Sequence, residues 1–350
     1  MNIDKTKPVL VTGATGYVAG RLVEKLLKEG LTVHAAVRDP ENPVKTDPLK
    51  HLETNSSGKL KFFRADLLDK GSFDEAAQGC ELVYHTASPF IRNVKDAQRD
   101  LIDPALEGTR NVLNAATKSN SVKRIVLTSS CAAIYGDAKD LLNAPDNTLT
   151  EEIWNTSSSL QHQPYSYSKT LAEREAWKIN NEQNKWDLVT INPSFVIGPG
   201  INPNATSESF SIFRQIGKGD FKMGAPEMNI GCIDVRDLAE AHYRAGYTPD
   251  AKGRYIISSE DSGFLQLAKA IKNEFPQYPI GTKKVPKWLL WLIAPTVGMT
   301  REEVSKNIGY PWHASNEKSI QELGMTYRAV DQSAIEFFRF LIDNGQIQKR

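Results

Sequence analysis

Two pairs of residues in this chain are spaced for chemistry. Tyr165 and Lys169 stand four apart in Tyr165-Ser166-Tyr167-Ser168-Lys169-Thr170-Leu171-Ala172-Glu173, which on a helix puts them one turn apart on a single face. A free phenol, with a pKa near 10, exchanges protons poorly at neutral pH. An ammonium beside it favours the phenolate and brings it towards the working range, so the pair suits proton transfer. Tyr167 cannot make this pair, because leucine stands four residues on. The second pair is Gly13 and Gly16, set between the apolar run Val9-Leu10-Val11 and the helically spaced Arg21 to Leu27. Strand, glycine turn and helix in that order form a dinucleotide fingerprint. Gly13 makes the turn, and Gly16 lets the backbone approach a pyrophosphate at the helix start. The third small position falls on Ala19, followed by Gly20.

The elements that must carry these pairs alternate. Strands are expected at 31–37, 60–67, 81–88, 122–128, 188–192 and 254–258, with a helix over 105–117 and another through Tyr165 and Lys169. Such alternation implies an α/β fold, a doubly wound parallel Rossmann sheet. The expected division is a dinucleotide-binding domain over 1–198 and a smaller, partly interleaved C-terminal substrate-binding or lid region over 199–350. The polar span 137–164 is too long for a plain connection and reads as a functional loop. Helices are expected over 209–216 and from Ile233. Trp288 and Trp291, at i and i+3, are expected to pack a core. His85 is expected to be a satisfied strand-end histidine.

The second strand ends in Val37-Arg38, with Asp39 next. An acidic side chain at this point holds a ribose 2′-hydroxyl, whereas arginine accommodates a 2′-phosphate. The order favours NADP(H), with Lys45 as a second candidate cation. Net charge is +1 and 24% of residues are charged, so no basic field points to nucleic acid or an anionic membrane. The longest fully apolar run, Trp288 to Ala294, is too short to span a bilayer. Cys80, Cys131 and Cys232 are odd in number and scattered, suggesting neither a disulfide framework nor a zinc cluster. Residues 1–7 carry no hydrophobic signal core, and a cytoplasmic location is expected.

With these residues in place, the chain resembles the extended short-chain dehydrogenase/reductases of the NAD-dependent epimerase/dehydratase superfamily, closest to the dihydroflavonol reductase and cinnamoyl-CoA reductase branch. The marks are Val37-Arg38-Asp39-Pro40, Ala65-Asp66-Leu67, Gly71-Ser72-Phe73-Asp74-Glu75, Thr128-Ser129-Ser130, Tyr165 to Lys169 and Gly253-Arg254-Tyr255-Ile256. The resemblance implies that Ser130 is the catalytic serine and Ser129 structural, with Tyr165 and Lys169 at the acid/base positions. It implies cofactor contacts at Gly13, Thr15, Gly16, Tyr17, Val18, Arg38, Lys45, Asp66, Leu67, Thr86, Ala87, Ser88, Tyr165, Lys169, Pro193, Ser194, Phe195, Val196 and Ser209. Two departures stand out: alanine at position 19, and Ile134-Tyr135-Gly136 after the serine, which resembles nucleotide-sugar epimerases.

The expected function is an NADPH-dependent aldehyde or ketone reductase, with Tyr165 as proton donor, Lys169 as its partner and ribose anchor, and Ser130 polarising the carbonyl. An NAD-retaining nucleotide-sugar epimerase or dehydratase, and a non-catalytic NADP-binding sensor, are the alternatives. The substrate is expected to be a small-molecule carbonyl compound with an aromatic or apolar side, walled by 137–164 and 200–227. Phe90, Phe195, Phe210 and Phe213 fall near the strand ends as candidate apolar surface, although each taken singly reads as core rather than pocket, and Lys218 and Lys222 are the nearest lysines. A monomer or a homodimer fits the resemblance.

Overall fold

A computed structural model describes residues 1–88 and 94–348. Phe90 lies outside the described residues. The first part of the chain, to Pro193, runs β1 (Val9–Thr12), α1 (Tyr17–Lys28), β2 (Thr32–Val37), α2 (Pro43–Thr54), β3 (Lys59–Arg64), β4 (Leu82–His85), α3 (Asp103–Lys118), β5 (Arg124–Thr128), α4 (Pro164–Asn181) and β6 (Asp187–Pro193). It continues with β7 (Phe195–Ile197), α5 (Glu208–Lys218), β8 (Ala225–Pro226), β9 (Asn229–Asp234), α6 (Val235–Tyr247) and β10 (Gly253–Ile257). The remainder is β11 (Glu260–Gly263), α7 (Phe264–Glu274), β12 (Lys284–Val285), α8 (Lys287–Ile293), α9 (Arg301–Asn307), α10 (Glu317–Leu323) and α11 (Val330–Asp343).

Seven strands form a parallel sheet in the order β10-β6-β5-β4-β1-β2-β3. The chain winds outward from β1 through β2 to β3, then returns to β4 on the other side. The strand order therefore switches between β1 and β4, and a ligand crevice opens at the carboxyl ends there. β1 is buried along its whole length, as a parallel strand covered on both faces must be.

Helix α1 follows from the spacing of Leu22, Val23, Leu26 and Leu27, all fully buried. Each contributes about 1.5–3 kcal/mol by leaving water. This stripe packs on Leu238, Ala241 and Ala245 of α6, sharing a cluster with β1, β2 and β10. At Gly246 an added Cβ would lie 2.2 Å from the Tyr84 hydroxyl, so α6 reaches β4 closely only because glycine stands there. On the opposite face α3 and α4 cover the sheet through Val112, Leu113, Ala116 and Ala176.

The C-terminal region builds a second core from α5, α7 and α11, with Phe210, Phe213, Leu267, Ile271, Phe337 and Phe338 buried together. β9 pairs with β7 and β11, and β8 pairs with β12. Ile233 and Asp234 end a strand rather than open a helix; the Asp234 carboxylate then caps α6 by accepting the Arg236 N–H at 2.8 Å. The span 137–164 is held by a bond within it, His162 to Asp137 at 2.7 Å, and by one from α9, Asn307 Nδ2 donating to Asp137 Oδ1 at 2.7 Å.

Trp288 and Trp291 do not pack a core. Their residues are 66% and 39% exposed, because α8 buries only Leu290 of its seven residues.

Candidate active site

The site assembles at the β1–β4 crevice. Gly13 has φ of +64°, and a Cβ there would sit 3.1 Å from Ala87 Cα; only glycine suits both the turn and the contact. The Gly16 N–H donates to Gly13 O at 2.8 Å. Gly16 then caps α1 without any side-chain hydrogen bond, and the first turn carries no acidic residue. The first N–H groups of α1 are thus left for an anion, in the favourable field of the helix start. The Thr12 hydroxyl accepts the Ala87 N–H at 3.0 Å, and the Thr86 hydroxyl donates to Thr12 O at 2.5 Å. These bonds clamp the 86–88 segment against the glycine turn. Thr15 is half-buried and Ser88 exposed beside it.

Arg38, at the end of β2, and Lys45, in the first turn of α2, are both exposed. Neither has an acidic partner among the described residues. Asp39 is occupied elsewhere, accepting the Glu41 N–H at 3.2 Å and lying 3.7 Å from Arg64. A free guanidinium with its neighbouring carboxylate turned aside fits a 2′-phosphate. Asp66 and Leu67 follow β3. Asn111 Nδ2 on α3 donates to the carbonyls of Asp66, Leu67 and Asp69, at 3.3, 3.2 and 2.7 Å. The residues present therefore fit a dinucleotide along its length.

Ser130 leaves β5 extended (φ −166°, ψ 156°), and its hydroxyl accepts the Ala132 N–H at 3.1 Å. Helix α4 starts after Gln163, which is left-handed at φ 53°, and brings Tyr165 to Ser130. Half of the Tyr165 surface is open to the cleft. Burial of its phenol end raises the pKa, a hydrogen bond with Ser130 pulls against that, and the Glu208 carboxylate adds to the rise. The expected lowering by Lys169 does not hold in this structure: loss of solvation raises the phenol and Ser130, not the lysine, opposes it, while the lysine's electrostatic partner is Glu173. Lys169 lines a small cavity with Leu67, Ala87, Ser88 and Ser129. Burial pushes its ammonium down to about 8, with Glu173 opposing. His85 is a satisfied strand-end residue, 3.0 Å from the Thr12 hydroxyl and pushed down to about 3 by burial and by Lys169.

Residues 9–258 match the model of the NAD dependent epimerase/dehydratase family. The chain belongs to this family. Among curated members it is 42% identical over 279 residues to cinnamoyl-CoA reductase CAD2 of Medicago truncatula, covering 79% of this chain and 83% of that one. It is 34% identical over 341 residues to tetraketide alpha-pyrone reductase 1 of Arabidopsis thaliana, covering 97% and 96%. The crystal structure of yeast methylglyoxal/isovaleraldehyde reductase Gre2 complexed with NADPH superposes with a TM-score of 0.78 at 27% identity, over 97% of this chain and 100% of that one.

Several side chains at family positions serve this fold rather than the crevice. Tyr17 is buried, its hydroxyl donating to Gly198 O at 2.6 Å and its ring edge-on to Phe210. Only the backbone of Tyr17 can meet a ligand, while Val18 packs against two apolar clusters. The Ser209 hydroxyl donates to Val196 O at 2.5 Å, and the Ser194 N–H donates to Ile257 O at 3.1 Å. Pro193 and Ser194 are buried, whereas Phe195 and Val196 are half-buried. Phe210 and Phe213 are wholly buried and give the crevice no surface. Phe195 stands edge-on to Phe264, 5.7 Å between centroids. Lys218 and Lys222 are exposed. Tyr135, of the epimerase-like tripeptide, packs against Trp312 in a separate small cluster.

Sequence reasoning missed the group beneath the site. Glu173, one turn past Lys169, is 1% exposed, and Arg254 on β10 is 7% exposed. Arg254 Nε donates to Glu173 Oε1 at 2.6 Å. The other carboxylate oxygen accepts the Ser129 hydroxyl, and also Asn192 Nδ2 at 2.8 Å. Asn192 Nδ2 in turn reaches Ser130 O at 3.1 Å. Arg254 Nη1 also donates to Glu151 O and Ile153 O, at 2.7 and 2.6 Å, and its guanidinium lies 4.0 Å from the Trp154 ring. One buried ion pair thus ties together the Ser130 backbone, the helix bearing Lys169 and the 151–154 wall. Glu173 and Arg254 each lie among other charged residues, Arg174 and Glu175 for one and Lys252 for the other, so the sequence carried no signal that singled them out.

Proposed function

We propose that this protein is an NADPH-dependent carbonyl reductase. The observation that carries the reading is the meeting of Ser130 and Tyr165 at the mouth of a crevice whose far end offers the exposed cations Arg38 and Lys45, unpaired among the described residues. When bound, NADPH supplies the hydride that reduces a C=O to CH–OH. The Ser130 hydroxyl donates to the carbonyl oxygen and polarises it. Tyr165 passes its phenolic proton to that oxygen; because burial raises its pKa, the phenol is held protonated and ready to donate at neutral pH. The Lys169 ammonium, desolvated yet mostly charged at neutral pH, anchors the cofactor's ribose and can stabilise the phenolate as it forms.

The names of the relatives and of the yeast structure, all reductases, support this reading over an epimerase. The packing of Tyr135 against Trp312 removes the side chain that argued for the epimerase. The substrate proposed is a small to medium aldehyde or ketone with an apolar side. The test is consumption of NADPH across aromatic aldehydes, short α-dicarbonyls, CoA thioesters and dihydroflavonols. Turnover of aldehydes or ketones is expected. Activity confined to thioesters would overturn the substrate class, and silence across every carbonyl would overturn the reductase.

A further inference from the structure

Helix α8 places its side chains in an order that water disfavours. Of Lys287, Trp288, Leu289, Leu290, Trp291, Leu292 and Ile293, only Leu290 is buried. Leu292 is 54% exposed, and Val297 just beyond is 51% exposed. Met223, 83% exposed, belongs to the same neighbourhood. The Ala225 N–H donates to Lys283 O at 3.0 Å, and β8 pairs with β12, the strand that leads into α8. A contiguous apolar surface of this kind marks an interaction site.

The strip of chain that carries this face has charge of one sign. From Phe275 to Arg301 the chain holds Lys283, Lys284, Lys287 and Arg301 and no aspartate or glutamate. Lys283 has no acidic partner among the described residues, and Lys284 pairs with Glu227. Lys287 donates to Ser305 O at 2.9 Å and lies 4.6 Å from the Tyr310 ring, while Arg301 lies 4.5 Å from the Trp291 ring. The nearest acids of α9 are engaged, Glu302 with Lys306 at 2.7 Å and Glu303 with the Thr300 N–H at 2.7 Å. Lys218 and Lys222 stand exposed near Met223, with the exposed Asp220 between them.

We propose that the face formed by α8 and Met223 docks on the surface of an anionic lipid bilayer, Trp288, Trp291 and Leu292 entering the headgroup boundary and Lys283 and Lys287 meeting lipid phosphates. Seven residues of helix reach roughly 10 Å, far short of a bilayer but sufficient to lie within its boundary. Tryptophan beside lysine is the side-chain pairing such a boundary accepts, one end apolar and the other wet. A second copy of the chain fits less well: a two-fold pairing of this strip with itself sets cation against cation, with no acid in the strip to meet them.

The test is co-sedimentation of the full-length protein with phosphatidylcholine vesicles, with and without phosphatidylserine, at low and high salt. Binding is expected to the phosphatidylserine vesicles alone, weakened by salt and accompanied by a blue shift of tryptophan emission. W288S/W291S is expected to bind roughly tenfold or more weakly. K283E/K287E is expected to lose the preference for phosphatidylserine. Neither variant touches the catalytic crevice, so NADPH-dependent turnover in solution should be unchanged and folding is verified by it. The proposal is overturned by an absence of vesicle binding at low salt, or by equal binding of the unaltered and variant proteins. It is also overturned if sedimentation equilibrium shows W288S/W291S splitting a dimer of the unaltered chain.

Discussion

Replacing Glu173 by glutamine tests whether the buried ion pair holds the site together. The carboxylate accepts from Ser129, Asn192 and two nitrogens of Arg254, and more distantly from Thr190 and Trp177 at 3.3 Å each. An amide keeps the shape but turns one acceptor into a donor aimed at other donors, and it leaves the Arg254 charge buried without a counterion. Removing one partner of a buried pair costs about 3–5 kcal/mol. With an unfolding entropy of about 2.1 cal/mol/K per residue, a chain of this length unfolding as one unit should lose roughly 4–7 °C in Tm. Calorimetry gives the Tm, and urea unfolding followed by tryptophan fluorescence gives the free energy. Arg254→Gln should cost a similar amount, since it strands Glu173. The double variant should then be less damaged than the sum of the two, by about 1–3 kcal/mol of coupling. A loss below about 1 kcal/mol for Glu173→Gln, or strict additivity in the cycle, would refute this account of the pair.

Tyr165→Phe should lower kcat by roughly 10²–10⁴ while leaving NADPH affinity nearly intact, and Tyr167→Phe should be near neutral; equal damage from both would show that the helical placement does not govern the chemistry. NADPH should bind more tightly than NADH by roughly 1.5 kcal/mol, the low end for a charge-assisted bond because Arg38 is solvent-exposed. Arg38→Asp should abolish or invert that preference in titrations of the two cofactors. The Lys169 ammonium titrates near 8 in the ligand-free protein, so kcat/KM for NADPH should fall above that pH, and Glu173→Gln should move the limb lower. The unfolded amine keeps its proton to 10.5 and the folded one only to about 8. Between those values the unfolded state binds more protons, so stability should rise with pH. A kcat/KM profile with no decline through that range would remove Lys169 from the site.

The sheet was legible because its strands announce themselves locally. Val9 to Val11 and Ile125 to Leu127 are continuous apolar runs, and the glycines mark where the first strand must end. Tyr165 and Lys169 were legible because four residues is a helical turn. What escaped was set by partners far along the chain. Phe210 and Phe213 read singly as core, and they are, but their partner Phe337, more than 120 residues on, has no local mark in the sequence. Trp288 and Trp291 have core spacing, yet α8 meets too little protein to bury them. The Tyr165 phenol was expected to feel Lys169, but burial depends on everything around the ring, which spacing cannot reveal. Glu173 and Arg254 lie 81 residues apart, so no local pattern joins them.

The edge strand β10 is delivered from residue 253, while its neighbour β6 ends at residue 193. During synthesis β6, buried in the finished protein from Leu188 to Pro193, must wait for some sixty further residues to leave the ribosome before its open side is paired. For most of that interval the apolar stripe of α1 is bare as well, because α6 arrives only from Val235. A nascent chain halted at residue 198 would carry an unpaired strand edge and an uncovered helix face, both templates for aggregation. The crevice with its glycine turn can therefore exist as a stable object only late in translation, and a clean cut between the two halves of this chain should yield no soluble dinucleotide-binding fragment.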